Sequence, residues 1–292
     1  MKLGALIDHH GHLAPRDALA EAMGRHFMPF PKDPPPLLFD VDGNHAQMEA
    51  QGIVRRIVSV PPILYLYELP ADEQARRIAA MNDWLAETVA GTRMTAMMVL
   101  PLGDVAATAA EIARCHSVHG TADFAIGSHV HGVDLDKAVH PEVWAALAER
   151  SGLVMIHPWQ VRDGGRLNDL KLGNPLGNPF ETTVAAGRLI EAGTLMKHPG
   201  LRVMLAHGGG TLPFILGRMD RAWEAAAHGR APERPSLAAK RFLYDTVLFE
   251  AAPLRFLAEM VGADRIIFGT DSPFDMSIQD PATLLADARL AA

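Results

Sequence analysis

Five side chains able to hold a divalent cation, or to work beside one, stand at the ends of apolar runs: His10 and His12, His157, His207 and Asp271. Three imidazoles with one carboxylate suit a borderline ion, Zn(II) above all, with Mn(II) and Fe(II) as alternatives. A further imidazole beside such an ion can shuttle protons at physiological pH. The His-x-His spacing carries little weight alone: 14 histidines in 292 residues supply about 0.7 such pairs by chance, and His129 with His131 makes a second pair. Position separates them. In an extended chain residues 10 and 12 point to the same side. His157 precedes Pro158, which favours extended backbone; His207 precedes three glycines, and Asp271 follows Gly269 and Thr270. One ion is expected, since a bridged pair would need a further anionic ligand, and the fourth run ends in Gly127 and Ser128.

Residues so remote in sequence need a scaffold that delivers strand ends to one rim. Apolar runs at Leu3 to Asp8, Ile53 to Val60, Met94 to Leu102, Ala122 to Ser128, Leu153 to His157, Leu201 to His207, Leu243 to Phe249 and Arg265 to Asp271 read as eight strands. Amphipathic patterns at Asp72 to Val89, Val105 to Cys115, Pro141 to Ser151, Glu181 to Lys197, Leu212 to Ala226 and Ala252 to Val261 read as helices between them. The alternation predicts an α/β fold, a single (β/α)8 TIM barrel spanning residues 1–292, whose C-terminal rim gathers catalytic groups. The segment Phe27 to Gly43, with its PFPKDPPP stretch, is read as a Pro-rich surface insertion after strand one, and Asp280 to Leu290 as a short last helix.

Composition narrows the function. Hydrophobic residues make up 49% and charged residues 21%, enough for a large core, and the net charge of −7 without a Lys/Arg cluster argues against a nucleic-acid partner. No apolar run reaches bilayer-spanning length and Met1 to Pro15 lacks signal-peptide character, so a cytoplasmic protein without a membrane partner is expected. The one cysteine, Cys115, reads as a packed small hydrophobe.

The strings HHGHLAP, IHPW (156–159), LAHGGGTLPFILGRMDRAWE (205–224) and FGTDSPF (268–274) resemble the amidohydrolase superfamily, and within it the aminocarboxymuconate semialdehyde decarboxylase branch, over nearly the whole chain. The resemblance implies a distorted barrel with one catalytic metal, usually zinc, bound by His10, His12, His157 and Asp271, with His207 acting on the ion's water and no organic cofactor. It also implies a homodimer in which Arg218 crosses to the neighbouring subunit's substrate carboxylate, a task suited to a planar guanidinium. Arg166, in the loop after strand five, either matches a second arginine of the family or stands in a flexible surface loop. Trp159 either walls the pocket or packs beneath its rim; His129 and His131 either touch substrate or satisfy loop backbone; Glu181 is read as a helix cap. Two departures concern substrate. LKLGNPLGNPF holds one aromatic residue, Phe180, and the early insertion offers only Lys32 as a basic group. The expected function is metal-dependent, non-oxidative decarboxylation of a small unsaturated or aromatic carboxylic acid. The alternatives are hydrolysis or hydration of a lactone, amide or unsaturated acid on the same barrel, and a catalytically inert metal-binding barrel.

Overall fold

The structure is a computed structural model that describes residues 5–25, 30–162, 165–167, 170–226 and 231–290. The expected positions 3–4 of strand one and 27–29 of the insertion lie outside the described residues.

Short apolar runs, buried on both faces, form parallel strands: β1 Leu6–His12, β2 Ile53–Ser59, β3 Met94–Ala96, β4 Met98–Val99, β5 Phe124–Gly127, β8 Leu153–His157, β9 Arg202–Leu205 and β10 Leu243–Tyr244, with a small antiparallel hairpin of β6 His129–Val130 and β7 Val133–Asp134. They pair in the orders β1-β2-β3 and β10-β9-β8-β5-β4. The run from Met94 changes neighbours at its middle: Met97 N donates to Val58 O on the β2 side, and Met98 N donates to Asp123 O on the β5 side. The eighth segment closes the circuit through bridges Tyr244 to Ile266 and Gly11 to Ser272, so eight chain segments form the barrel.

Closure is irregular where side chains replace ladder partners. Thr246 Oγ1 donates to Gly269 O and accepts from Gly269 N, while Asp8 Oδ1 accepts from Thr270 N. These bonds satisfy the backbone of the eighth segment without a regular ladder, and the expected strand at Arg265 to Asp271 is therefore a bridged, extended segment. Strand one also departs from expectation. It runs through the His-x-His pair, with an irregularity between Asp8 and Gly11 that shifts its register on β2. A buried salt bridge anchors it there: Arg56 Nε donates to Asp8 Oδ2 at 2.8 Å and Nη1 to Asn44 Oδ1 at 2.7 Å.

Twelve helices among the described residues surround the barrel: α1 Arg16–Gly24, α2 Val41–Ala50, α3 Ala71–Val89, α4 Val105–His119, α5 Leu135–Ala138, α6 Pro141–Arg150, α7 Asn178–Ala192, α8 Thr194–Lys197, α9 Leu212–Ala225, α10 Pro235–Ala238, α11 Ala251–Val261 and α12 Pro281–Ala288. The expected helix over Glu181 to Lys197 divides at Gly193, whose φ of 66° closes α7 with a left-handed cap. α1 and α2 escaped the sequence reading; α2 has almost no hydrophobic periodicity, and α1 is only nine residues long. The insertion is not merely a surface excursion. Leu38 is fully buried in a 3-10 turn, Pro36–Phe39, and the Asp40 carboxylate accepts from Gly43 N to open α2. No helix among the described residues is long and apolar enough to cross a membrane.

Because both partners are fully buried, Arg56→Ala strands the Asp8 carboxylate. Chemical denaturation is expected to show a loss of about 3–5 kcal/mol; a loss below about 1 kcal/mol would contradict the anchoring role.

Candidate metal centre

Four imidazoles and one carboxylate converge at the C-terminal ends of the strands. Ring centroids of His10, His12, His157 and His207 lie between 5.1 and 5.7 Å apart in five of their pairings. Asp271 sits among them: Oδ1 is 3.1 Å from His12 Nε2 and 3.4 Å from His10 Nε2, and Oδ2 is 3.3 Å from His207 Nε2. Ligand atoms of His10, His157, His207 and Asp271 all lie within 4.8 Å of one another. His12 adjoins this set through Asp271.

The free faces of these rings fit a cation. His10 Nδ1 is 2.7 Å from the buried Asp245 Oδ2, whereas His10 Nε2 is buried and has no hydrogen-bond partner. His157 Nδ1 is held 2.9 Å from Pro158 O, which leaves its Nε2 to face inward. A histidine whose outer nitrogen donates to a carboxylate or carbonyl, and whose inner nitrogen is otherwise orphaned, is the arrangement typical of a metal ligand. His207 Nδ1 is likewise buried without a partner.

Electrostatics favour a positive charge at this point. Burial raises the pKa of Asp271, but the neighbouring His10, His12 and His207 outweigh it and hold the carboxyl well below the usual range. Burial opposes the imidazolium of His10, yet Asp271, Asp245 and Asp8 together raise its pKa to about 9. His157 goes the other way: burial and then the surrounding imidazoles push it well below the ordinary histidine value. Burial also lowers His12, against the pull of Asp271.

The backbone turns sharply to aim two of these groups. His207 and Asp271 both adopt left-handed φ, 56° and 61°, conformations that non-glycine residues hold only when their surroundings impose them. Asp271 N donates to His10 O at 2.7 Å, and Gly208 N to Asp245 Oδ1 at 2.8 Å. Gly269 permits the close approach, since a Cβ there would stand 2.8 Å from the Cβ of His10.

A cleft of about 1400 Å3 opens above the centre, lined by His157, His207 and Asp271 at its floor and by Phe30, Lys32 and Phe274 on the insertion side. Phe274 stands 5.3 Å from the ring of His12 and 5.8 Å from that of Phe30. Trp159, His129 and Arg166 are not among the described residues that line the cleft. Trp159 is fully buried against Tyr67 and His129, beneath the rim. His129 is also fully buried, with Nε2 3.0 Å from Gln160 O and Nδ1 accepting from Gly132 N, so its ring serves the loop backbone. Arg166 is exposed and is not among the described residues lining the cleft; Arg162 is, bonded to Asp134 Oδ1 and Gly132 O. Glu181 lies buried in the first turn of α7, where the helix N-terminus favours a carboxylate, and also accepts from Arg162 N at 2.8 Å. Arg218 is exposed on α9 and likewise absent from the described cleft lining of its own chain. Sequence reasoning missed Asp245, whose only signal is a carboxylate inside an apolar strand pattern, and Phe30 and Phe274, whose role depends on how the insertion folds back.

A family model described as Amidohydrolase matches residues 7–292. The chain belongs to the amidohydrolase family. It is 26% identical to the 2-amino-3-carboxymuconate-6-semialdehyde decarboxylase of Dictyostelium discoideum, over 85% of this chain and 70% of that protein. It is 29% identical to the gamma-resorcylate decarboxylase of a Polaromonas strain, over 90% of this chain and 86% of that protein. Among solved structures, a dihydroxybenzoic acid decarboxylase from Polaromonas with bound manganese and 2-nitroresorcinol superposes with a TM-score of 0.84 at 24% identity, covering 99% of this chain and 92% of that one.

Because His10 must lose its inner proton to accept a metal, and holds that proton up to about pH 9, a divalent ion competes with it at neutral pH. The apparent affinity of the metal-free protein is expected to rise about tenfold per pH unit between pH 6 and 8. Calorimetric titration at several pH values checks this, and an affinity flat across that range contradicts it.

Proposed function

We propose that this amidohydrolase-family protein is a metal-dependent, non-oxidative decarboxylase of a small aromatic or unsaturated carboxylic acid. The observation that carries the proposal is the buried, partnerless Nε2 of His10, with its other nitrogen on Asp245, facing Asp271 and His157. The named decarboxylase activities of the relatives in Dictyostelium and Polaromonas supply the reaction class. His10, His12, His157 and Asp271 would hold the ion, and zinc or manganese suits that donor set.

When bound, the ion supplies Lewis acidity and brings the pKa of a neighbouring water toward neutrality. The chain's own groups do the rest. The left-handed turn at His207 brings its imidazole over the cleft floor, where its Nε2 meets Asp271 and a proton can pass through it to or from the reacting carbon. Protonation of the carbon bearing the carboxylate precedes loss of CO2; the electrons of the breaking carbon–carbon bond return to the unsaturated system, so no oxidant enters. Phe30 and Phe274 offer apolar walls for a planar substrate, and Lys32 a cation at the cleft mouth.

Arg218 completes the proposal through a second copy of the chain. It is exposed one helical turn beyond Phe214, itself 82% exposed and 6.1 Å from the ring of Phe256, an apolar and cationic surface that suits a homodimer contact delivering Arg218 to the partner's cleft. The lone cysteine, Cys115, is buried, in keeping with a cytoplasmic location.

Incubation with a panel of phenolic acids and unsaturated amino-dicarboxylates is expected to release CO2 from at least one compound. His207→Ala should lower that turnover by about 10²-fold or more with the metal retained. Lactone or amide hydrolysis without CO2 release would contradict the decarboxylase reading, and unchanged turnover in His207→Ala the proton role. Light scattering should give a dimer, and Arg218→Ala a rise of about 10- to 100-fold in KM; a monomer active with Arg218 removed contradicts the crossing arginine.

A further inference from the structure

We infer that Asp245 is a positioning residue that fixes the protonation pattern of His10 and the turn that carries His207. The inference rests on the metal centre proposed above and goes beyond its ligands.

Asp245 is fully buried directly after β10, where the ladder to β9 continues only through Asp245 N to Leu205 O. Its two carboxylate oxygens have separate tasks. Oδ2 lies 2.7 Å from His10 Nδ1. Oδ1 accepts from Gly208 N at 2.8 Å and from Val247 N at 3.1 Å. A carboxylate only accepts, so His10 Nδ1 must donate, and the lone pair of a neutral ring is then at Nε2, the atom that faces Asp271. The same carboxylate tethers Gly208, the residue after His207, within a turn where His207, Gly208, Gly209 and Gly210 all have positive φ. Gly269 packs against both residues of the pair, its Cβ position 2.8 Å from the His10 Cβ and 3.2 Å from the Asp245 Cβ, which leaves the pair little room to rearrange. One buried side chain therefore sets both the metal-facing nitrogen of strand one and the location of the imidazole after β9.

Asp245→Asn tests the assignment without changing shape. Its amide oxygen can keep Gly208 N and Val247 N; its NH2 group then meets His10 Nδ1, which must accept, and the proton moves to Nε2. The metal-free variant is expected to melt within a few degrees of the parent while its zinc affinity, read by competition with a chromogenic chelator, falls about 10- to 100-fold. Equal zinc affinity in parent and variant would overturn the role of Asp245 and leave the metal centre standing; a parent that binds no divalent ion would overturn both. Nitrogen NMR of the zinc-loaded parent with ¹⁵N-labelled histidine reads the same assignment even if the variant does not fold. A proton retained on His10 Nδ1 supports it, and a deprotonated Nδ1 overturns it.

Discussion

Everything at the rim follows from confining one carboxylate and four imidazoles to a buried space a few ångströms across. Asp271 is 7% exposed yet held anionic by the rings around it, and of those rings His10 is pushed toward the proton-bearing form while His12 is pushed away from it. Such a cluster is costly with neither proton nor metal to balance it. A divalent cation satisfies the carboxylate and the inward-facing nitrogens together.

The distortion of the barrel serves that cluster. A regular eight-stranded ladder would direct Asp8, Asp245 and Thr246 to ordinary strand positions with their side chains free. Here they are spent on backbone groups: Asp8 on His10 N, Thr270 N and the Arg56 guanidinium, Asp245 on Gly208 and Val247, Thr246 on Gly269. The seventh and eighth segments thereby give up regular pairing, and their side chains and backbone hold the left-handed turns at His207, after β9, and at Asp271, in the eighth segment. Bulge, broken ladder and strained turn are three local consequences of bringing four strand ends closer than an ideal barrel allows.

Much of this was legible in the residues. Period and punctuation located the eight barrel segments and the main helices because buried parallel strands are continuous apolar runs, and the five ligand-type residues stood out because each stood at or just beyond the end of one. What escaped depends on contacts between remote elements. Asp245 looks like any polar residue in a strand until His10 is placed beside it. His129, in the hairpin after β5, and Trp159, just after β8, are buried against each other; the sequence left that packing open for both, and only the contact between remote elements decides where they sit. Glu181 stands in the first turn of its helix as its residue type suggests, but its bond to Arg162 N, across to the preceding loop, shows only in the fold. The Pro-rich insertion reads as surface because proline bars it from helix and sheet; only folding shows that Leu38 is buried and Phe30 meets Phe274.

The chemistry proposed for this rim depends on a single divalent ion held by His10, His12, His157 and Asp271. Anomalous diffraction at the absorption edge of zinc or manganese, on crystals grown with that metal, tests it most directly. One peak per chain is expected within coordination distance of His10 Nε2, His12, His157 and Asp271, with His10 Nδ1 still on Asp245. A peak only elsewhere, or none while the imidazoles remain in place, would contradict it.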